Sequence, residues 1–582
     1  MQVMEDPTSS QTPPPRPQRK STWFYLTALA VVGGFALISN HVQAGGEKFY
    51  SDLIRLDKVV TKINENYVEE VSSEELVDAA ISGIRNILDP HTAYFTPKDY
   101  EDLRVSTEGE FGGLGIQIGI RDQILTVVSP LAGTPAHRMG MRAGDKIIKI
   151  DSVSTQGITI DDAVEKLRGK PGTEVKLTIL REGLLEPMEF NISREIIKIE
   201  SVPYAGMLND SVGYIKVTQF AKRTGADLEA KIDELKKKNM KALVLDLRVN
   251  PGGLLNQAIE VSELFLDKGE MVVYTKGRVK GQNQEYHSNR APIWTKKLVV
   301  MVNENSASAS EIVAGAIQDW DRGLIMGATT YGKGSVQTIL QLDGQKNTLK
   351  LTTAYYYTPS GRCINKPENA VRFKKDEDSG ATDTTHYKTH AGRMVAAGGG
   401  ITPDVAVEGQ KLTRFSQDLL RKTMFFNFIV KKRAEIEKLG KVTPKQKIED
   451  SLIAEFRSFV YSDSTFANYK SGGLLALEDF RKNLNKENKN GLDSLPGGLG
   501  QDVERDLAAL AKTLQAQTVK EFDRNMDFIQ TQLKAELLGA VLGEDVRTAF
   551  ELQHDVQIKE ALKYIGDNKL FAKGYKKAKS KG

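Results

Sequence analysis

Apolar positions change their spacing several times along the chain, and each change marks a change of element. Between residues 47 and 105, Phe49, Leu53, Leu56, Val59, Val60 and Ile63 make a stripe of helical period. A second stripe runs from Leu76 to Leu88, where Asp89-Pro90-His91 stops it. Residues 106–196 switch to short strands broken by glycines. They include Phe111-Gly112-Gly113-Leu114-Gly115-Ile116, the segment Gly140–Asp145, a helix at Ile160–Leu167 and an alternating strand from Val175 to Leu180.

From 205 to 360 apolar runs and helical stripes alternate. Strands are predicted at Val212–Val217, Ala242–Leu247, Met271–Tyr274, Leu298–Val302 and Leu324–Met326. Helices are predicted at Ala226–Lys238, Leu254–Leu266 and Ser308–Asp321. This alternation predicts a mostly parallel sheet with helices on its faces. Thr348–Tyr357 adds a β-rich piece. From 411 to the end the pattern is helical and charged, at Phe415–Leu439, Lys445–Tyr461 and Val503–Leu542, with a break at Gly491–Gly500 and a basic tail at Lys576–Lys581. The fold class is therefore α/β and multidomain, with a helical C-terminal region; 582 residues exceed what one core holds.

Composition narrows the function. With 80 Lys+Arg against 76 Asp+Glu the net charge is +4, so no global field argues for nucleic acid as partner. One cysteine, Cys363, excludes an internal disulfide or a cysteine-based metal site. Arg16, Arg19 and Lys20 precede an apolar run from Trp23 to Ile38, and Val42-Gln43-Ala44 comes after it. This is the pattern of an export signal over residues 1–44, cleaved or retained as a single anchor. The body is then expected outside the cytoplasm, in the periplasm, free or held at the inner membrane.

The chemistry-bearing segments are Asn303–Glu311, with Ser306, Ser308 and Ser310, and Gly332-Lys333-Gly334-Ser335-Val336-Gln337. A serine where a strand ends and a helix begins sits beside free N–H groups that can hold an oxyanion. The same position favours serine as a helix cap, so the pattern alone does not choose among the three. No histidine lies close in sequence, and the base on offer is Lys333. An ordinary lysine, pKa about 10.4, is neutral about once in 2,500 at pH 7, so an apolar slot must lower it by roughly 3 units. Gln337 is a neutral group able to orient the amine. Asp246-Leu247-Arg248-Val249-Asn250-Pro251-Gly252-Gly253 ends a strand in a tight turn. The Gly252 or Gly253 N–H there, with that of Ala309, is the expected pair of oxyanion donors, the alternative being a turn and nothing more. Gly327–Gly334 is close to a phosphate-binding loop, but Gly334 stands where Ser or Thr must bind magnesium, and a strand comes next instead of a helix. His386 and His390 lack the Glu of a zinc protease and read as a surface loop. No metal site and no cofactor are indicated.

These motifs, taken together over residues 50–408, resemble the carboxyl-terminal processing (tail-specific) proteases of peptidase family S41. The resemblance implies an α/β, crotonase/Clp-like core at 197–408 with a polar insertion at 366–396. It also implies an inserted PDZ domain at 106–196; the helical segment at 47–105 and the helical region at 411–582 are read from the apolar pattern, and the resemblance does not explain the latter. The resemblance assigns Ser308 as nucleophile, Lys333 as general base and Gln337 as the partner that orients the lysine; the residue reading adds Gly252 and Ala309 as the expected oxyanion donors. Phe111, Gly112, Gly113, Leu114 and Ile116 are expected to bind a substrate's free C-terminus, and Arg168 to link that binding to the active site. Expected partners are proteins or peptides with free C-termini. A homo-oligomer built through the helical region and an adaptor protein are further ones. The competing expectation is a catalytically inactive PDZ scaffold.

Overall fold

A computed structural model describes residues 48–342, 347–366, 386–436, 442–490 and 501–577. The expected leader, the middle of the polar insertion, the break at 491–500 and the end of the basic tail lie outside these residues. The described residues divide into two separate units, one up to Ile87 and one from Leu88 on. In the first, helices span 48–66 and Ser73–Ile87. Phe49, Leu53, Leu56, Val59 and Ile63 are exposed along the first of them. Among the described residues no helix is long and apolar enough to cross a membrane.

The second unit is organised by a six-stranded sheet with the order Tyr204–Met207, Val212–Lys216, Ala242–Asp246, Lys297–Val302, Leu324–Gly327, Val405–Ala406. All neighbours are parallel except the first pair. The central strands are buried on both faces, as parallel strands are when crossovers cover them. One face carries Ile215, Leu243, Leu245, Leu298, Val300 and Ile325 against helices Thr224–Lys237, Leu255–Glu263 and Ala309–Asp319. The other carries Tyr214, Val244, Val299, Met301 and Met326 against Leu552, Ile558, Ala561, Tyr564 and Ile565. Helix Val556–Gly566, from the far C-terminus, thus completes the sheet near which the candidate serine lies.

Met271–Gly277 departs from the expected parallel arrangement. It joins an antiparallel sheet with Gln284–His287, Asn347–Tyr357, Ser335–Leu342 and Ala93–Phe95. The reason is local: Gln284 comes after a short connection, and a short connection can only return the chain antiparallel. The lysine segment belongs to this second sheet, as does a strand, Ala93–Phe95, that helical spacing did not foresee.

The β-rich domain is a sheet of Ile116–Arg121, Ile124–Pro130, Lys146–Ile150, Glu174–Leu180 and Met188–Ser193, with helix Ile160–Leu167. Ile116–Arg121 is an edge strand. The chain enters and leaves this domain through two strands that pair with each other, Glu110–Gly113 and Glu195–Lys198. In the C-terminal region the expected long helices are broken into shorter ones. The first breaks at Thr423, whose φ is +51°, between Arg414–Arg421 and Met424–Ile436. These helices enclose an aromatic cluster that includes Phe415, Phe425, Phe456 and Phe522.

The described end of the polar insertion is not a loose loop. His386–Lys388 pairs with Met394–Ala396, and Arg393 reaches from this hairpin to Asp321 and Asp404. Asp404 also accepts from Gln318 Nε2, and Arg362 pairs with Asp319 at 2.8 Å, so both flanks of the insertion close on the end of helix Ala309–Asp319.

Candidate active site

Strand Lys297–Val302 ends at Asn303, and the chain turns into helix Ala309–Asp319 through the three serines. The structure separates them. Ser306 is fully buried and donates to Leu247 O at 2.8 Å; Ser310 is fully buried and donates to Asn250 O at 2.9 Å. Both hydroxyls hold the turn. Ser308 is half-buried, with φ +55° and ψ −114°, and its hydroxyl does not cap the helix. A non-glycine residue held at positive φ costs on the order of 1–3 kcal/mol and persists only where its surroundings fix it.

Glu311 does much of that fixing. Completely buried one turn into the helix, it accepts the Ser308 N–H at 2.8 Å and the Lys333 N–H at 2.9 Å on the same oxygen, Oε2. Its Oε1 accepts from Thr330 Oγ1 at 2.5 Å and Gly332 N at 2.7 Å. One carboxyl group therefore joins the serine turn to the lysine loop. Burial pushes its pKa upward, against the pull of these four donors. The sequence signal for Glu311 is the capping-box spacing Ser-x-x-Glu, which points to a helix cap and says nothing of the bridge to the lysine loop.

Lys333 is half-buried, and burial, reinforced by Lys350, lowers its pKa, while Glu311 and Asp89 oppose the shift. Asp89 is held in place by Thr92 and Thr352, whose hydroxyls donate to it at 2.8 and 3.0 Å. Burial raises its pKa, but these bonds outweigh burial and keep it below the usual value. His91 also lies within electrostatic reach of Lys333, and its Nε2 is buried with no hydrogen-bond partner. The histidine set aside on grounds of sequence distance is brought into the lysine's surroundings by the Ala93–Phe95 strand.

The structure places two of the expected residues differently. Among the described residues Gln337 makes no hydrogen bond to the Lys333 amine: its Nε2 donates to Ser335 O and Ser335 Oγ at 3.1 and 2.7 Å. A register shift between Val336 and Gln337 accounts for this, since a bulge re-aims the side chain beyond it. The Gly252 N–H is also not free, because it donates to Asn250 Oδ1 at 2.9 Å. The N–H groups of Ala309 and Gly253 donate to no group among the described residues. Gly252 matters instead through its missing side chain: a Cβ there would come within 2.9 Å of Ala307 O, Ser308 Cβ and Ala309 N.

Tyr356 was missed altogether. Fully enclosed, its hydroxyl donates to Lys333 O and meets the Ser308 side chain; burial raises its pKa well above the ordinary tyrosine value, so it stays neutral. Among the described residues no hydrogen bond joins Lys333 Nζ to Ser308 Oγ.

The residues expected to bind a C-terminus are divided. Phe111, Gly112 and Gly113 pair with Glu195–Lys198 and are not a free loop. A side chain at Gly112 would sit 2.0 Å from Gly169 O. Leu114 is buried in the domain's own core, and Ile116 opens the edge strand. Arg168 pairs with Asp102 at 2.6 Å and stacks on Phe111 at 4.8 Å, beside a cavity of about 650 Å³ lined by both. Its partners belong to helix Pro97–Glu108 and the glycine-rich strand, not to the Ser308 site.

Comparison with known proteins finds three family models. Peptidase family S41 matches residues 211–376, a PDZ domain matches 126–181, and the C-terminal helical domain of a probable PDZ-protease matches 415–565. A carboxy-terminal-processing protease of Bartonella bacilliformis is 41% identical over 345 residues, covering 58% of this chain and 78% of that protein. The carboxy-terminal processing protease CtpA of Bacillus subtilis is 34% identical over 339 residues, covering 58% and 71%. A carboxyl-terminal-processing protease of Synechocystis is 36% identical over 313 residues, covering 52% and 72%.

Proposed function

Because the chain belongs to peptidase family S41, as a PDZ-bearing carboxy-terminal-processing serine protease, we propose that Ser308 is its nucleophile and Lys333 its general base. The observation that carries this reading is the shared Glu311 oxygen, which keeps the backbone of the two residues within two hydrogen bonds of each other. Ser308 Oγ turns from Tyr356 toward the Lys333 amine, loses its proton to it and attacks the scissile carbonyl. The oxyanion forms beside the Ala309 N–H, at the positive end of helix Ala309–Asp319, with Gly253 N–H as second donor. The protonated lysine then delivers its proton to the leaving amine, and water repeats the sequence on the acyl-enzyme. Burial supports the neutral starting state of Lys333.

Substrate capture is assigned to the β-rich domain. Ile116–Arg121 offers an edge that pairs with no further strand among the described residues, beside helix Ile160–Leu167, the arrangement in which an extended peptide adds as a further strand. The tail's terminal carboxylate lies at the Leu114–Gly115 turn, and Arg168, through Asp102, carries its arrival toward helix Pro97–Glu108. The leader at Trp23–Ile38 supports action outside the cytoplasm.

A protein substrate with a free C-terminus, compared with the same protein amidated at its last residue, tests the reading. Amidation removes the charge the turn is proposed to hold and is expected to lower kcat/KM roughly tenfold or more, mainly by raising KM. Equal values for the two substrates would remove the capture step.

A further inference from the structure

The turn beside Ser308 is anchored from the far end of the chain. Asp246, buried at the end of its strand, accepts from Arg248 N and Nη2 at 2.8 and 2.7 Å and from Tyr214 Oη at 2.7 Å. Lys216 Nζ donates to Arg248 O at 2.7 Å. The other edge of the Arg248 guanidinium leaves the core: Nη1 meets Asp555 Oδ2 at 2.8 Å and Gln557 Oε1 at 2.7 Å. These two residues open helix Val556–Gly566, about three hundred residues later in sequence.

Immediately after Arg248 the backbone is strained and clamped onto the serine turn. Val249 is β-branched, exposed, and held at φ +61°. Such a conformation costs on the order of 1–3 kcal/mol and survives only where its neighbours over-determine it. The clamps are visible on both sides. Val249 N–H donates to Asn303 Oδ1 at 2.8 Å, and Asn250 O accepts from Ala307 N at 3.0 Å and Ser310 Oγ at 2.9 Å. Any slackening at Arg248 is therefore passed directly to the residues on either side of Ser308.

We propose that Asp555 and Gln557 are positioning residues of the active site, which fix Arg248 and through it hold the Val249–Gly253 turn against the Ser308 segment. This rests on the assignment of Ser308 as nucleophile and extends it: the C-terminal helical region supplies part of the active site's support.

Asp555 divides its two oxygens in a way that makes the claim testable. Oδ1 caps the helix, accepting from Gln557 N at 2.8 Å and Ile558 N at 3.1 Å, while Oδ2 faces Arg248. Asp555→Asn keeps a capping oxygen but turns an amide N–H toward the guanidinium, so it removes the ion pair and spares the cap. The full-length protein carrying it is expected to lose roughly 10- to 30-fold in kcat, with KM for a tailed substrate within about twofold, because a small displacement at the reacting atoms costs turnover and not tail binding. The rate at which a small organophosphonate labels Ser308 should fall in parallel, since that reagent does not engage the β-rich domain. Asp555→Glu, which restores a carboxylate, should recover part of both rates. Wild-type kcat and labelling in Asp555→Asn, or a change confined to KM, overturns the proposal. Should that variant fail to fold, Gln557→Met leaves the Asp555 pair intact and is expected to lose roughly threefold or more in the same two rates; unchanged rates there overturn it equally. Ser308→Ala, run alongside, separates the two claims: turnover surviving in it removes the nucleophile assignment, whereas a silent Asp555→Asn beside an inactive Ser308→Ala removes only the positioning role.

Discussion

Ser308→Ala and Lys333→Ala are each expected to lower kcat/KM for a tailed protein by about 10³-fold or more, and the double variant is expected to be no worse than either alone. Two groups that pass one proton between them act as a unit, so removing the second costs nothing further. Folding should be spared. The contact between Glu311 and position 333 is made by the backbone N–H, which alanine retains. Lys333→Ala should even melt at or slightly above the wild-type temperature. A lysine whose folded pKa lies below its unfolded value binds fewer protons when folded. Below its folded value the native lysine destabilises the fold fully, and across the window between the two values that penalty is lost, so stability rises with pH there. Turnover together with thermal unfolding of the three variants checks this. Losses that add in the double variant would mean that the two side chains act in separate steps.

The second large effect is expected at Glu311, a residue that takes no proton from substrate. Glu311→Gln keeps shape but replaces one acceptor oxygen with an amide, which then faces two N–H or O–H donors inside a buried pocket. Leaving buried donors unmatched costs about 1–3 kcal/mol each. A stability loss of about 3 kcal/mol by chemical denaturation is therefore expected. The catalytic loss should be larger than stability alone explains, about 10²-fold in kcat, because the serine turn and the lysine loop are no longer held to one group. KM should move little. A variant with full kcat at a temperature where it is folded would show that the two segments hold their places without the shared carboxyl.

Much of the core was legible because it is local. The runs Ala242–Leu247 and Leu298–Val302 are apolar at every position but Asp246, which requires burial on both faces. The helical stripe after the serines requires a strand-to-helix turn at Ser308. Nothing local could say what covers the second face of the sheet. Ile558, Ala561 and Ile565 form an ordinary amphipathic stripe, and only the folded chain shows that it packs on Val299 and Met301.

The site was legible in part for the same reason. Ser308 and Lys333 stand in short contiguous motifs. Tyr356, Asp89 and His91 come from segments whose approach depends on the pairing of Ala93–Phe95 and Ser335–Leu342 with Asn347–Tyr357. For Gln337 and Gly252 each, one bond was not legible: Gln337 Nε2, just past the register shift after Val336, donates to Ser335, and the Gly252 N–H donates to the side chain of Asn250.

The central claim is that the Lys333 amine, neutral because it is kept from water, activates Ser308. The pH dependence of organophosphonate labelling at Ser308, in the wild type and in Lys333→Ala, measures this without substrate binding or product release. The account predicts a labelling rate that rises with pH through an inflection below the ordinary lysine value of about 10.4, and a Lys333→Ala rate that is low and lacks that inflection. An inflection that persists unchanged in Lys333→Ala, or one at the ordinary lysine value, would contradict it.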